Sequence, residues 1–189
     1  FWKVLNMLNT KYVIHAQKDN KPGVMRNPNA FGNAWIVSNI DWVSTPNEEI
    51  AAIENTDVKT TAIVNEEFKN VVGDFKPSIG KGSIQLTSYK PNELIYKFNS
   101  TKDELVVFSE IWTSKGWTMW IDGNESPLIR ADYILRAAVI PAGNHEIMMR
   151  YEPKIWKVGN TIQFVSSLIL ILGLLAAIFV TYRKSESKQ

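Results

Sequence analysis

Two histidines, His15 and His145, are the first candidates for chemistry in this chain. They stand far apart in sequence, and neither belongs to an HExxH motif or to any metal-ligand spacing. The carboxylates Glu104, Glu110, Asp122, Glu125 and Asp132 cluster in sequence. Two of them facing one groove would make a glycosidase-type acid/base pair, but solvated strand faces and turns account for them better. Gly80-Lys81-Gly82 is a fragment of a Gly-rich phosphate loop, yet a strand-like run follows it where a phosphate cradle needs a helix. The sequence has no GxSxG elbow. It also has no cysteine, which excludes disulfides, thiolate zinc sites and cysteine nucleophiles. Asn99-Ser100-Thr101 matches an N-glycosylation sequon, a pattern short enough to arise by chance. From these residues no catalytic group, cofactor or metal is expected.

Aromatic residues are more suggestive. Trp112, Trp117, Trp120 and Tyr133 stand among Asp and Asn residues. Tryptophan faces beside such polar groups are what sugar rings stack against. In WTMWI the pleat puts Trp117, Met119 and Ile121 on one face, and Thr118 and Trp120 on the other. The first trio is uniformly apolar and reads as core. Trp120 sits on the mixed face beside the Asp122-Gly123 turn, where its ring is placed to meet a glycan or a membrane interface. The candidate glycan contacts are therefore Trp120, Asp122, Tyr133 and His145. The plainer reading, which the residue types favour, has Trp120 covering an edge and His145 satisfying a loop carbonyl.

The elements that must position these residues read mainly as β. KYVIHA (11–16) and AWIVSNIDWV (34–43) are short β-branched runs bounded by Asn, Pro and Gly. The one soluble helix expected is near 46–55, with Thr45 or Asn47 as cap, Pro46 in the first turn, and Glu48-Glu49 at the positive end of the dipole. TAIVN (61–65) is a weak strand, and GDFKPSIGKG (73–82) separates a first subregion, 1–72, from a second, 83–153. In the second, alternation runs through Ile84 and Leu86, then Leu94, Tyr96 and Phe98, then Ile147, Met149 and Tyr151. LVVFSEIW (105–112) is apolar on both faces, as a central strand would be. Residues 128–140 read as one long strand with a bulge. Asp122-Gly123 and PAGNH (141–145) mark turns. The expected class is mainly β, an antiparallel β-sandwich with α+β character from one short helix, followed by one C-terminal transmembrane helix.

That last helix rests on residues 158–182, which contain no charge. At about 1.5 Å per residue such a run crosses a hydrocarbon core of about 30 Å. Trp156 and Tyr182 would flank it at headgroup level, and Arg183-Lys184 would mark the exit. The expected organisation is a domain over 1–157, a span over 158–182 and a tail over 183–189. The lipid bilayer is then a partner. A net charge of +2 gives no argument for nucleic acid. Arg150, Lys154 and Lys157 before the span balance Arg183, Lys184 and Lys188 after it, so charge alone does not orient the helix. The chain begins at Phe1 without a signal-peptide pattern, and FWKVLNMLNT is amphipathic. A C-terminal piece of a longer polypeptide is expected, with an upstream transmembrane region of that polypeptide as its second partner.

Taken in order, these motifs resemble the end of the YfhO-like bacterial membrane proteins. The shared features are Ser109-Glu110 closing an apolar strand, Trp112, Gly116-Trp117, Asp122-Gly123, Pro141-Ala142-Gly143, His145 and Tyr151-Glu152-Pro153 before a final span. LNTKYVI (8–14) and the Asn/Ala/Gly run before AWIV are also similar. TSKGW stands where the family has aromatic-aromatic-Pro-Gly-Trp, so that turn departs from the pattern. The resemblance implies a multi-spanning protein similar to the C-type membrane glycosyltransferases, which take sugars from a polyprenyl-phosphate carrier on the outer face of the membrane. It implies that the catalytic carboxylate lies in an earlier loop, outside these residues. It also implies that 1–157 lies outside the bacterial cytoplasmic membrane, with the tail inside.

Three readings follow. The chain is a non-catalytic accessory domain of a lipid-linked-sugar glycosyltransferase, meeting a glycan or a polyprenyl-linked sugar in cell-envelope glycan modification. Alternatively it is a membrane-anchored glycan-binding or adhesion module. Thirdly, it is an anchored hydrolase using the carboxylates, which would have to converge on a pocket.

Overall fold

The computed structural model describes residues 1–16, 21–77 and 82–186, and the chain divides into two compact units, Phe1–Tyr151 and Glu152–Gln189. Residues Gly80 and Lys81 of the Gly-Lys-Gly motif, and the last three residues of the tail, lie outside the described residues.

The first unit opens with a short helix, α1 (Trp2–Met7), and a hairpin of β1 (Tyr12–Ala16) and β2 (Pro22–Arg26) that forms a sheet of its own. Next come β3 (Ala34–Val37), β4 (Asn39–Val43), the helix α2 (Pro46–Asn55), β5 (Thr61–Asn65), a 3-10 turn at Glu66–Phe68 and the single-turn α3 (Lys69–Val72). Then follow β6 (Ser83–Lys90), β7 (Glu93–Ser100), β8 (Glu104–Ile111), β9 (Trp117–Ile121), β10 (Asn124–Ser126), β11 (Ile129–Ala131), β12 (Leu135–Ile140) and β13 (Gly143–Tyr151). A five-stranded sheet runs β10-β9-β13-β7-β6, and a six-stranded sheet runs β3-β8-β12-β11-β5-β4.

The two sheets face each other across Leu94, Tyr96, Phe98, Val106, Phe108, Met119, Ala138, Ile140, Ile147 and Met149. A second core lies on the other side of the six-stranded sheet, where Leu105, Val107, Leu135 and Ala137 meet Met7, Trp35 and Ile53. Strand β8 therefore sends alternate residues into two different cores, which is why LVVF is apolar throughout. The helix α2 forms where its caps require. Thr45 Oγ1 accepts a bond from the Glu48 amide at 3.3 Å, Pro46 fills the first turn, and the Glu48 carboxylate accepts from the Ser44 amide at 2.8 Å.

Three details depart from the sequence expectation. The run 34–43 is two strands at opposite edges of one sheet, separated by Ser38 alone. One residue reaches only about 3.5 Å, so the sheet curls until its edges meet. Secondly, β4 and β5 pair in parallel, because α2 is a crossover between them and a crossover returns the chain in the same direction. The sheet is mixed as a result. Thirdly, the single long strand expected over 128–140 folds back on itself. Asp132 and Tyr133 adopt φ of 49° and 71°, and β11 pairs antiparallel with β12. An Asp tolerates this left-handed region, a Tyr seldom does, and nothing in the residue types announced the turn.

In the second unit one helix, α4 (Lys154–Glu186), carries a stretch, Val158–Phe179, long and apolar enough to cross a membrane. Its side chains are exposed over that stretch, so it is not the core helix of a globular unit.

Candidate functional site

Strands β9 and β10 are joined by two residues, Asp122 (φ 49°) and Gly123 (φ 83°), with Ile121 opposite Asn124. This is the geometry of a type I′ hairpin, which suits Asp-Gly. The turn aims the Asp122 carboxylate at β13. Its Oδ2 lies 2.5 Å from His145 Nδ1, and its Oδ1 accepts from the Glu146 amide at 2.9 Å. The other imidazole nitrogen, Nε2, faces the Ala142 carbonyl oxygen at 3.2 Å. Both ring nitrogens thus face acceptors, so the doubly protonated ring fits best. The bond to Asp122 raises the His145 pKa, and the bond from His145 holds the Asp122 carboxyl below its usual range. Gly143 is constrained here too: its φ is 137°, and a Cβ would lie 2.8 Å from His145 Nε2.

With both nitrogens engaged, this pair ties the Asp122-Gly123 turn to the turn at Ala142. His145 also stacks near Phe98, with centroids 6.3 Å apart, on the inner side of the sheet. Beside it a cleft of about 320 Å³ is lined by polar residues including Gln85, Lys97, Asn99 and Asn144. The Asn99 amide of the sequon donates to Asn144 Oδ1 at 2.5 Å.

Trp120 faces the other way. Met119 is fully buried between the sheets, with Trp117 and Ile121 packed beside it, so Trp120 and Thr118 point outward. Trp120 is half-buried there between its cross-strand neighbours Met148 and Glu125. Tyr133 lies elsewhere again. It lines an apolar groove of about 670 Å³ with Trp2, Val4, Ile50 and Ile53, on the far side of the six-stranded sheet. The structure joins Asp122 to His145 and leaves Trp120 and Tyr133 on separate surfaces.

The carboxylates do not converge as a set. Glu104 is buried and accepts from the Ser100 hydroxyl at 3.0 Å. Glu110 is held above the usual range by burial, against the pull of Arg136, while Glu125 is exposed on β10. Asp132 is fully buried: Oδ1 accepts from the Ile63 amide at 2.9 Å, Oδ2 has no partner, and burial pushes its pKa up to about 7. Glu49 is also fully buried, with one oxygen 3.1 Å from Arg130 and the other unpartnered, and burial raises its pKa as well. The sequence reading missed Glu49, which looked like a solvated helix N-terminus. Its spacing of four from Ile53 was the available signal, because that places both on one helix face. Among the described residues, His15 is exposed on β1, and no group of three His, Asp or Glu side chains is arranged to hold a metal.

Sequence comparison adds a family. The model of the family described as bacterial membrane protein YfhO matches residues 49–163, from α2 into α4. An uncharacterized protein YfhO of Bacillus subtilis (strain 168) is 27% identical over 97 residues, 51% of this chain. Those residues are 10% of that protein, so this chain spans only a small part of its relative's length. No solved structure matches.

Proposed function

This chain belongs to the family of bacterial membrane protein YfhO, and from that premise we propose that it is the non-catalytic C-terminal extracytoplasmic domain and last membrane span of a lipid-linked-sugar glycosyltransferase. The observation that carries the non-catalytic half is the state of His145. Both its nitrogens are engaged, by Asp122 and by the Ala142 carbonyl, so the one histidine–carboxylate pair among the described residues has no free site for proton transfer. Of the carboxylates read from the sequence, Asp132 lines the apolar groove beside buried Glu49 while Glu125 lines another cleft, which speaks against their acting together in an anchored hydrolase. The family and the single apolar helix support a membrane location. The outward placement of the domain and the glycosyltransferase activity of its parent rest on the resemblance to C-type enzymes.

The domain then acts as a rigid body that shapes or shields the region where a polyprenyl-linked sugar meets its acceptor. A second reading, an anchored glycan-binding module, draws on Trp120, whose half-exposed ring stands on the outer sheet face beside Met148 and Glu125. Sugar transfer by the full-length parent tests both. Removing a general acid or base costs about 10²–10⁴-fold in rate. His145→Gln, Asp122→Asn and Glu125→Gln should each fall short of that loss, and a loss of that size in a folded variant would overturn the non-catalytic assignment. A change confined to Trp120→Ala, seen as weaker acceptor binding, would favour the second reading.

A further inference from the structure

The hairpin β1–β2 exposes most of its side chains, and one of its faces is almost wholly apolar. Its register pairs Tyr12 with Arg26, Ile14 with Val24, and Ala16 with Pro22, so these six side chains share one face. All six are exposed, with Tyr12 at 63%, Ile14 at 73% and Val24 at 67%. Five of the six are apolar, aromatic or proline. The opposite face carries the half-buried Val13, the buried Gly23 and the exposed His15 and Met25. The hairpin joins neither main sheet. It is fixed at its base by Asn27, which is buried, donates to Asn6 Oδ1 and the Thr10 carbonyl, and gives its backbone amide to Lys11. A fixed, exposed apolar ladder marks a surface that meets something other than water.

The charge around it says what. Lys11, Lys21 and Arg26 are exposed at the rim, and over residues 11–26 the sequence carries four basic residues against one acid, Asp19. An aromatic ring, a branched aliphatic pair and a net basic rim are the components of an interfacial anchor. The apolar side chains enter the headgroup–acyl boundary, Tyr sits at headgroup level, and Lys and Arg meet lipid phosphates. The chain also ties this unit to the apolar helix, because only Glu152 and Pro153 separate β13 from α4. A tether that short keeps the effective concentration of membrane surface high. We propose that the Tyr12–Ile14–Val24 face of the β1–β2 hairpin docks on the membrane surface and takes anionic phospholipid. The inference rests on the membrane location of the chain and not on the glycosyltransferase reading.

The absence of native cysteine makes a site-specific test direct. The whole chain carrying Ala16→Cys or, as an exposed control, Lys102→Cys is labelled with an environment-sensitive fluorophore. It is then reconstituted in phosphatidylcholine vesicles with or without phosphatidylglycerol, containing nitroxide-labelled lipid as quencher. Quenching at position 16 should exceed that at 102 severalfold in vesicles with phosphatidylglycerol. It should fall to the control level when Ile14→Glu and Val24→Glu are added, changes that leave the buried cores untouched. It should also fall with Lys11→Glu plus Arg26→Glu, or in high salt. Quenching at 16 no greater than at 102 would overturn the docking. Excess quenching that ignores the charge reversals and the phosphatidylglycerol would overturn its anionic-lipid chemistry.

Discussion

The guanidinium carbon of Arg136 lies 4.0 Å from the centroid of the Trp117 ring, inside the first unit. Arg136 is almost wholly buried; burial lowers its pKa, and its Nε donates to the Ile111 carbonyl at 3.0 Å. Tyr151 packs on the same Trp117 ring at 5.5 Å between centroids, and a Cβ on Gly116 (φ 97°) would overlap Tyr151. Removing the indole would strip a desolvated cation of its aromatic partner and open a cavity beside Met119. Trp117→Ala should therefore cost about 3–5 kcal/mol. Trp120→Ala, on the outer face, should cost about 1 kcal/mol. Thermal melts of the two variants check this, and a lower melting point for Trp120→Ala would show the face assignment to be inverted.

The Asp122–His145 clamp gives a pH dependence of defined sign. Because His145 has a raised pKa when folded, its contribution is fully present below the unfolded value of about 6.5 and fades as pH rises through the folded value. Because Asp122 has a lowered pKa, its contribution is present above about 3.9 and fades only as pH falls through the folded value. A double-mutant cycle with Asp122→Asn and His145→Gln should show its largest coupling in mildly acid solution and a smaller one in alkaline solution. Coupling that grows with pH would contradict the charged pair.

Asp132 is the reverse of Asp122. Burial raises its pKa to about 7, and nearby Glu49 adds to the rise while the Ile63 amide opposes it. A carboxyl raised on folding binds its proton in the folded state first, so stability should fall as pH climbs from about 4 to about 7. Asn accepts the same left-handed φ and keeps an oxygen for the Ile63 amide. Asp132→Asn should be more stable than the parent at neutral pH and should flatten that slope. Urea unfolding at several pH values reads both effects, and an unchanged slope would remove Asp132 as its source.

The orientation proposed for the span makes the tail cytoplasmic. A reporter that works only inside the cell, fused after Gln189, should be active. Activity from a reporter that works only after export would reverse the placement.

What was legible in the sequence were the features set by local rules. Thr45, Pro46 and Glu48 mark the start of α2 by capping chemistry alone, and Asp122-Gly123 specifies its own hairpin. The apolar stretch Val158–Phe179 is visible because a lipid-facing helix must be apolar all round. The features that were not legible depend on distant partners. The turn at Asp132-Tyr133 is held by the Ile63 backbone, whose amide and carbonyl bond to Asp132 from β5. The split of 34–43 at Ser38 follows from which strands wait at each edge of the sheet. The candidate site divides in the same way: Asp122 and His145 are brought together by the pairing of β9 with β13, whereas Tyr133 is carried off by its unforeseen turn.

Strand β13 holds the middle place in the five-stranded sheet, hydrogen-bonded to β7 on one side and β9 on the other, and it is the strand that runs out toward α4. A membrane helix drags on whatever it is attached to as the bilayer flows and bends. Here the chain leaves the first unit from an inner strand, which two ladders of backbone bonds hold at once. An edge strand in that position would part from one neighbour alone. The link to α4 is fastened to a strand that must part from two neighbours before it comes free.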